Sequence, residues 1–146
     1  MEELGLVSFA KTTGGKGLHV VLPTDGTPWD ETKDFAHAMV LAMAADSPDK
    51  YVTKMTKSIR GGKIFLDYLR NGRGATAVVA YSTRSRPGAP VSTPVAWDEL
   101  GPRLAPNKFT LLNIGRRLAK MKRDPWADLG KVKQKLPDFG KPKKRG

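Results

Sequence analysis

Cysteine is absent from the 146 residues, which removes disulfides and thiolate metal sites and leaves no argument for an oxidising compartment. No apolar run approaches the roughly 18–20 residues of a membrane span. The start, MEELGLVSFAK, lacks the basic and then apolar stretch of a secretory leader. The expectation is a cytoplasmic protein without a membrane partner. Acids are scarce: 14 Asp and Glu face 26 Lys and Arg, a formal charge of +12, and no Asp-x-Asp pair occurs anywhere in the chain.

With 39% hydrophobic residues, the chain has enough apolar content for one ordinary core. Its charge is uneven, because residues 116–146 hold 12 Lys and Arg against 3 acids. Polyanions are the partners such a balance suits. Arg116, Arg117, Lys120 and Lys122 fall within two helical turns and are expected to track a phosphate backbone as a DNA contact. Residues 140–146, GKPKKRG, are expected to be a disordered basic tail after a domain spanning 1–139. A solvated tail and a phosphate-contacting one fit that composition equally.

Periodicity predicts an α+β fold. Residues 6–12 and 17–22 read as a hairpin, and 64–70 with 76–82 as a second antiparallel pair, all in one antiparallel-rich mixed sheet. Over 28–45, Thr27 as cap, Pro28 at the first helical position and Asp30 three residues after the cap predict a helix. Its Phe35, Met39 and Met43 would pack on that sheet. The proline-rich RSRPGAPVSTPVAW reads as an extended surface connector. A short strand near KFTLL, a helix near GRRLAKMK and another opened by Pro125 follow. Trp29, Trp97 and Trp126 read as packing residues.

Two stretches point to chemistry. Glycines at 14, 15 and 17 let backbone amides approach an anion, and Lys16 brings charge. The spacing is not that of a Walker loop, and a plain hairpin turn uses the same residues. His19 alone is as well explained as a structural histidine. Asp67 stands within apolar IFLDYL and is flanked in sequence by Arg60, Lys63, Arg70 and Arg73. A carboxylate there needs a partner or a divalent ion, or pairs with one arginine on an edge strand.

The segments GLVSFAKTTGGKGLHVVLP, RGGKIFLDYLRNGRGATAVVAYSTRSRPGAPVSTPVAWDEL and DPWADL closely resemble, in order, the polymerase domain of bacterial non-homologous end-joining DNA ligases, a branch of the archaeo-eukaryotic primase superfamily. The resemblance implies that Thr13, where the family has serine, with Lys16 and His19 holds the triphosphate of an incoming NTP or dNTP. It implies that Asp67 binds catalytic Mn²⁺ or Mg²⁺, that Arg60 and Arg84 close on the phosphates, and that a basic surface holds DNA. The family's first motif, an aspartate pair, has no counterpart here. The expectation is therefore a C-terminal part of the polymerase domain. It would transfer nucleotides onto DNA ends only with its upstream half, a separate chain being one source of it, or else serve as an inactive DNA-binding module that retains the fold.

Overall fold

The computed structural model describes residues 1–56, 58 and 60–138; the expected 140–146 tail lies outside them. Where composition suggested a single core, the chain divides into two compact units, one of Met1–Asp25 with Val78–Gln134, the other of Gly26–Ala77 with the chain from Lys135.

In the first unit, β1 (Phe9–Thr12) and β2 (Leu18–Val21) form the expected antiparallel hairpin, Phe9 opposite Val21 and Thr12 opposite Leu18. The stretch read as a surface connector keeps Ser85–Gly88 exposed, but its second half, Pro90–Val95, is buried throughout. Within it β5 (Pro94–Val95) pairs antiparallel with β1, giving the order β2-β1-β5, and Ser92 and Thr93 are 0% exposed. Proline is tolerated because β5 is an edge, where a missing N–H breaks no ladder. The buried backbone is satisfied from both sides. Thr12 and Thr93 exchange hydrogen bonds at 2.9 and 3.2 Å, the Ser92 amide donates to Ser82 O at 2.9 Å, and Ser92 O accepts from Tyr81 N at 2.6 Å.

Ala10, Val95 and Phe109 form the core of this unit, with Leu100, Leu104 and Ile114 packed around them. Burial of a side chain such as Phe109 contributes roughly 1.5–3 kcal/mol. The strand expected near KFTLL is reduced to one bridge, Thr110 with Pro90. Asn113 Oδ1 takes the Thr110 amide at 2.9 Å and turns the chain into helix α2 (Ile114–Lys120). Beyond Pro125 the expected helix is a set of turns with a short 3-10 segment, Leu129–Lys131. There the Gln134 amide bonds to Val7 O at 2.8 Å and Pro23 O at 3.0 Å, holding this stretch extended. Trp126 Nε1 donates to Ala10 O and Trp97 Nε1 to Ser8 O.

The second unit holds helix α1 (Trp29–Asp46), one residue later at each end than expected. Pro28 is its cap residue, and the Thr32 amide and hydroxyl both return to Pro28 O. Phe35 is buried, while Trp29, expected to pack, is 61% exposed. Helix α1 packs within its own unit, against β3 (Tyr51–Val52) and the 3-10 turn Leu69–Asn71. The expected strand 64–70 shortens to β4 (Ile64–Phe65), paired parallel with β3 in a separate sheet. Residues 76–82 form no strand. Asp67 captures the Leu69 amide at 3.0 Å and starts the turn that ends β4, and Tyr81 at φ +64° breaks the extended run.

Candidate functional site

The Thr13–Gly17 turn is built around one hydroxyl. Thr13 Oγ1 accepts the amides of Gly15 at 3.1 Å and Gly17 at 3.3 Å and donates to Gly17 O at 2.9 Å. Gly14, at φ +65°, adopts a conformation that favours glycine, and a Cβ there would meet Arg84 Cγ at 2.9 Å and backbone of Pro90 and Ser92 at 3.3 Å. Arg84 lies against this turn, with Nη1 3.5 Å from Thr13 O. Lys16 is exposed at the tip, and His19 is opposite Lys11 in the β1–β2 register. The structure therefore brings Thr13, Lys16 and Arg84 to one turn, with His19 two residues beyond it on β2.

Residues 83–89 form an open concavity of about 650 Å³ lined by Thr83, Arg84, Ser85, Arg86, Pro87 and Ala89. Arg86 is a second cation beside the turn, since a Cβ on Gly15 would lie 3.8 Å from its guanidinium carbon. Sequence reasoning passed over Arg86, although it stands two residues after Arg84 in the same loop.

Lys11 was missed altogether. It is 3% exposed, and its ammonium donates to Val78 O and to Ser92 Oγ, the latter at 3.0 Å. Burial, and then the like charge of Arg84, hold its pKa below the ordinary lysine value. Alternation places Lys11 beside Phe9 on one face of β1, but nothing local to the hairpin reveals that this face is covered.

Asp67 and Arg60 belong to the second unit. Asp67 is not in mid-strand. It follows β4 with Oδ1 on the Leu69 amide and Oδ2 paired to Arg70 Nε at 2.9 Å, the arginine side chain 59% exposed. Among the described residues no group of three His, Cys, Asp or Glu could hold a metal ion. A divalent ion needs several oxygen ligands, so Asp67 and its neighbours do not by themselves make the expected Mn²⁺ or Mg²⁺ site. The Arg60 guanidinium lies 4.2 Å over the Phe65 ring and donates to Met55 O at 2.5 Å, and its Nε is buried with no partner among the described residues.

The basic helix divides. Arg116, Lys120 and Lys122 are exposed. Arg117 does not belong with them: its side chain is 16% exposed, forms a two-pronged pair with Glu99 at 2.5 and 2.9 Å, donates to Pro94 O at 3.0 Å and lies 4.5 Å over the Phe109 ring. Its hydrogen bond holds the Glu99 carboxyl below the usual range. Arg117 is held by Glu99, Pro94 and Phe109 and serves the fold, while Arg116, Lys120 and Lys122 carry the exposed charge of this helix and its end. Tyr81 donates its hydroxyl to Asp124, and burial followed by that bond pushes the Tyr81 pKa up.

Residues 1–126 match the family described as LigD, primase-polymerase domain. A multifunctional non-homologous end joining protein LigD of Pseudomonas aeruginosa is 44% identical over 138 residues, 93% of this chain and 16% of that protein. A bifunctional LigD of Bacillus subtilis is 28% identical over 82% of this chain and 20% of its own length. The solved polymerase domain from Mycobacterium tuberculosis Ligase D in complex with DNA superposes with a TM-score of 0.75 at 31% identity, covering 82% of this chain and 42% of that one. The chain thus spans about a sixth of the Pseudomonas protein and less than half of the solved domain.

Proposed function

The chain belongs to the LigD primase-polymerase domain family, and on that premise we propose that it is the nucleotide- and DNA-binding part of an end-joining repair polymerase. The carrying observation is the placement of Arg84 against the Thr13–Gly17 turn. A triphosphate would meet Lys16 and Arg84 as charge and the turn as a surface of closely approachable backbone. Because Thr13 Oγ1 is already the hub of the turn, its contribution is to shape that surface as much as to touch a phosphate. His19, Arg60 and Asp67 are assigned to the site by the family pattern, His19 and Arg60 toward the triphosphate and Asp67 as one carboxylate toward Mn²⁺ or Mg²⁺. Arg116, Lys120 and Lys122 are assigned to the phosphate backbone of DNA, and a cytoplasmic location goes with that partner.

Nucleotidyl transfer at DNA ends then requires carboxylates from outside this set of residues, which the family's first aspartate pair would supply. The experiment is primer extension with Mn²⁺ or Mg²⁺ by this chain alone and with a family N-terminal half added in trans. Extension only with the added half supports the reading. Duplex binding that persists with no extension in either arm, unaffected by Asp67→Asn, favours the inactive DNA-binding module, which the pairing of Asp67 with Arg70 also suits. In both cases duplex affinity falls with salt at a slope of about −0.9 per phosphate neutralised.

A further inference from the structure

Lys11 is placed where a solvated cation is not needed and a buried one is costly. Its two acceptors, Val78 O and Ser92 Oγ, are uncharged, and the charge acting on it is the like-signed Arg84. A buried ammonium without a counter-charge is destabilising, and an apolar side chain of similar volume serves a strand interior better. Stability alone therefore does not explain it.

The ammonium ties three segments together. Ser92 Oγ, which accepts from Lys11, donates to Thr12 O at 2.9 Å, so the lysine and β1 grip the same hydroxyl. Val78 begins an arm whose Tyr81 and Ser82 bond to the Ser92 backbone and whose Arg84 amide donates to Pro90 O at 2.7 Å. Tyr81, at φ +64°, holds a conformation that a non-glycine residue keeps only when its surroundings enforce it. The arm ends at Arg84, in contact with the glycine turn.

We propose that Lys11 is a positioning residue for polyphosphate binding: by holding Val78 and Ser92 against β1 it sets Arg84 in place over the Thr13–Gly17 turn. The proposal rests on the reading of that turn as a phosphate site. An anion lodged there also offsets the repulsion between Arg84 and Lys11, so ligand and buried ammonium favour one another.

The test uses the full chain, ¹⁵N-labelled, titrated with tripolyphosphate as wild type, Lys11→Met, Arg84→Ala and the double variant. Lys11→Met is expected to weaken binding about tenfold, and Arg84→Ala to add no more than about twofold on top of it, because contacts acting through one another are not additive. Before ligand is added, Lys11→Met shifts the amide resonances of Gly14, Ser82 and Arg84 and leaves those of Leu104 and Ile114 in place. Unchanged affinity, or two losses that add in full, overturns the proposal alone. A wild-type chain that binds no tripolyphosphate overturns the phosphate reading and this proposal with it. Should Lys11→Met fail to fold, Ser92→Ala, which keeps the ammonium and removes its hydroxyl partner, must show a smaller loss coupled in the same way to Arg84, and its absence overturns the proposal.

Discussion

The two units handle polar groups differently. In the first, hydrogen bonds join residues far apart in sequence: Lys11 with Ser92, Trp126 with Ala10, Gln134 with Val7. In the second the side-chain bonds span shorter stretches, from Lys63 with Pro48 down to Asp67 with Leu69 and Arg70, or Asn71 with Tyr68. A bond between distant segments is made only when the whole unit is folded, and the Lys11–Ser92 bond is buried there as well. A bond between near neighbours forms in a turn open to water and changes little on folding. The glycine turn is tied down by distant partners, its Gly14 amide donating to Pro106 O at 3.0 Å and Arg84 lying against it, whereas Asp67 is set by its own short turn.

The largest expected effect is at Gly14. Gly14→Ala forces an L side chain to φ +65° against backbone at 3.3 Å and should cost about 2–4 kcal/mol in chemical denaturation. Gly17→Ala, with nothing within 4 Å, should cost no more than about 1 kcal/mol. Equal losses at both sites would mean that the turn is not locked by its neighbours.

Adjacent arginines give the next test. Arg117→Ala removes the Glu99 pair, the Pro94 bond and the Phe109 contact, and should cost about 2–3 kcal/mol by leaving Glu99 unpaired. Arg116→Ala should alter stability by less than about 0.5 kcal/mol and instead weaken duplex binding while making its salt slope shallower.

The same pair predicts the acid limb. Because the Arg117 hydrogen bond lowers the folded pKa of Glu99 below its ordinary 4.5, the pair contributes stability above that pH and loses it as pH falls through the folded value. Acid unfolding followed by fluorescence should show this loss in wild type and a flatter limb in Arg117→Ala. Identical limbs would deny that the bond is selectively native. Tyr81 has the opposite sense: its raised pKa contributes stability that is lost as pH rises above the ordinary tyrosine range, and Tyr81→Phe should blunt that alkaline loss.

The smallest effect is expected in the second unit, where Asp67→Asn disrupts an exposed pair and should change stability by less than about 1 kcal/mol. A loss as large as that of Arg117→Ala would erase the contrast between the units.

Local features were legible in the chain itself. The hairpin, helix α1 and helix α2 follow from turn residues and periodicity within some twenty positions, and the ordered motifs carried the family resemblance. Some misreadings arose where a distant segment decided the outcome, and one where a local turn did, Asp67 capturing the Leu69 amide and ending the expected 64–70 strand at Phe65. RSRPGAPVSTPVAW has a connector's composition, yet β1 and the 81–84 arm satisfy its backbone from two sides. Arg117 has the spacing of a phosphate contact, yet Glu99 lies within its reach.

What the sequence determined by itself is therefore the set of short-range elements, the basic surplus and the glycine turn, because dihedral preference, period and charge are properties of neighbouring residues. Only the tertiary structure decided that Lys11 is buried, that Arg84 meets Gly14, and that Arg117 serves the fold while Arg116 faces water. Burial and hydrogen-bond partnership depend on which distant segment covers a side chain. No pattern within β1 or α2 specifies that segment.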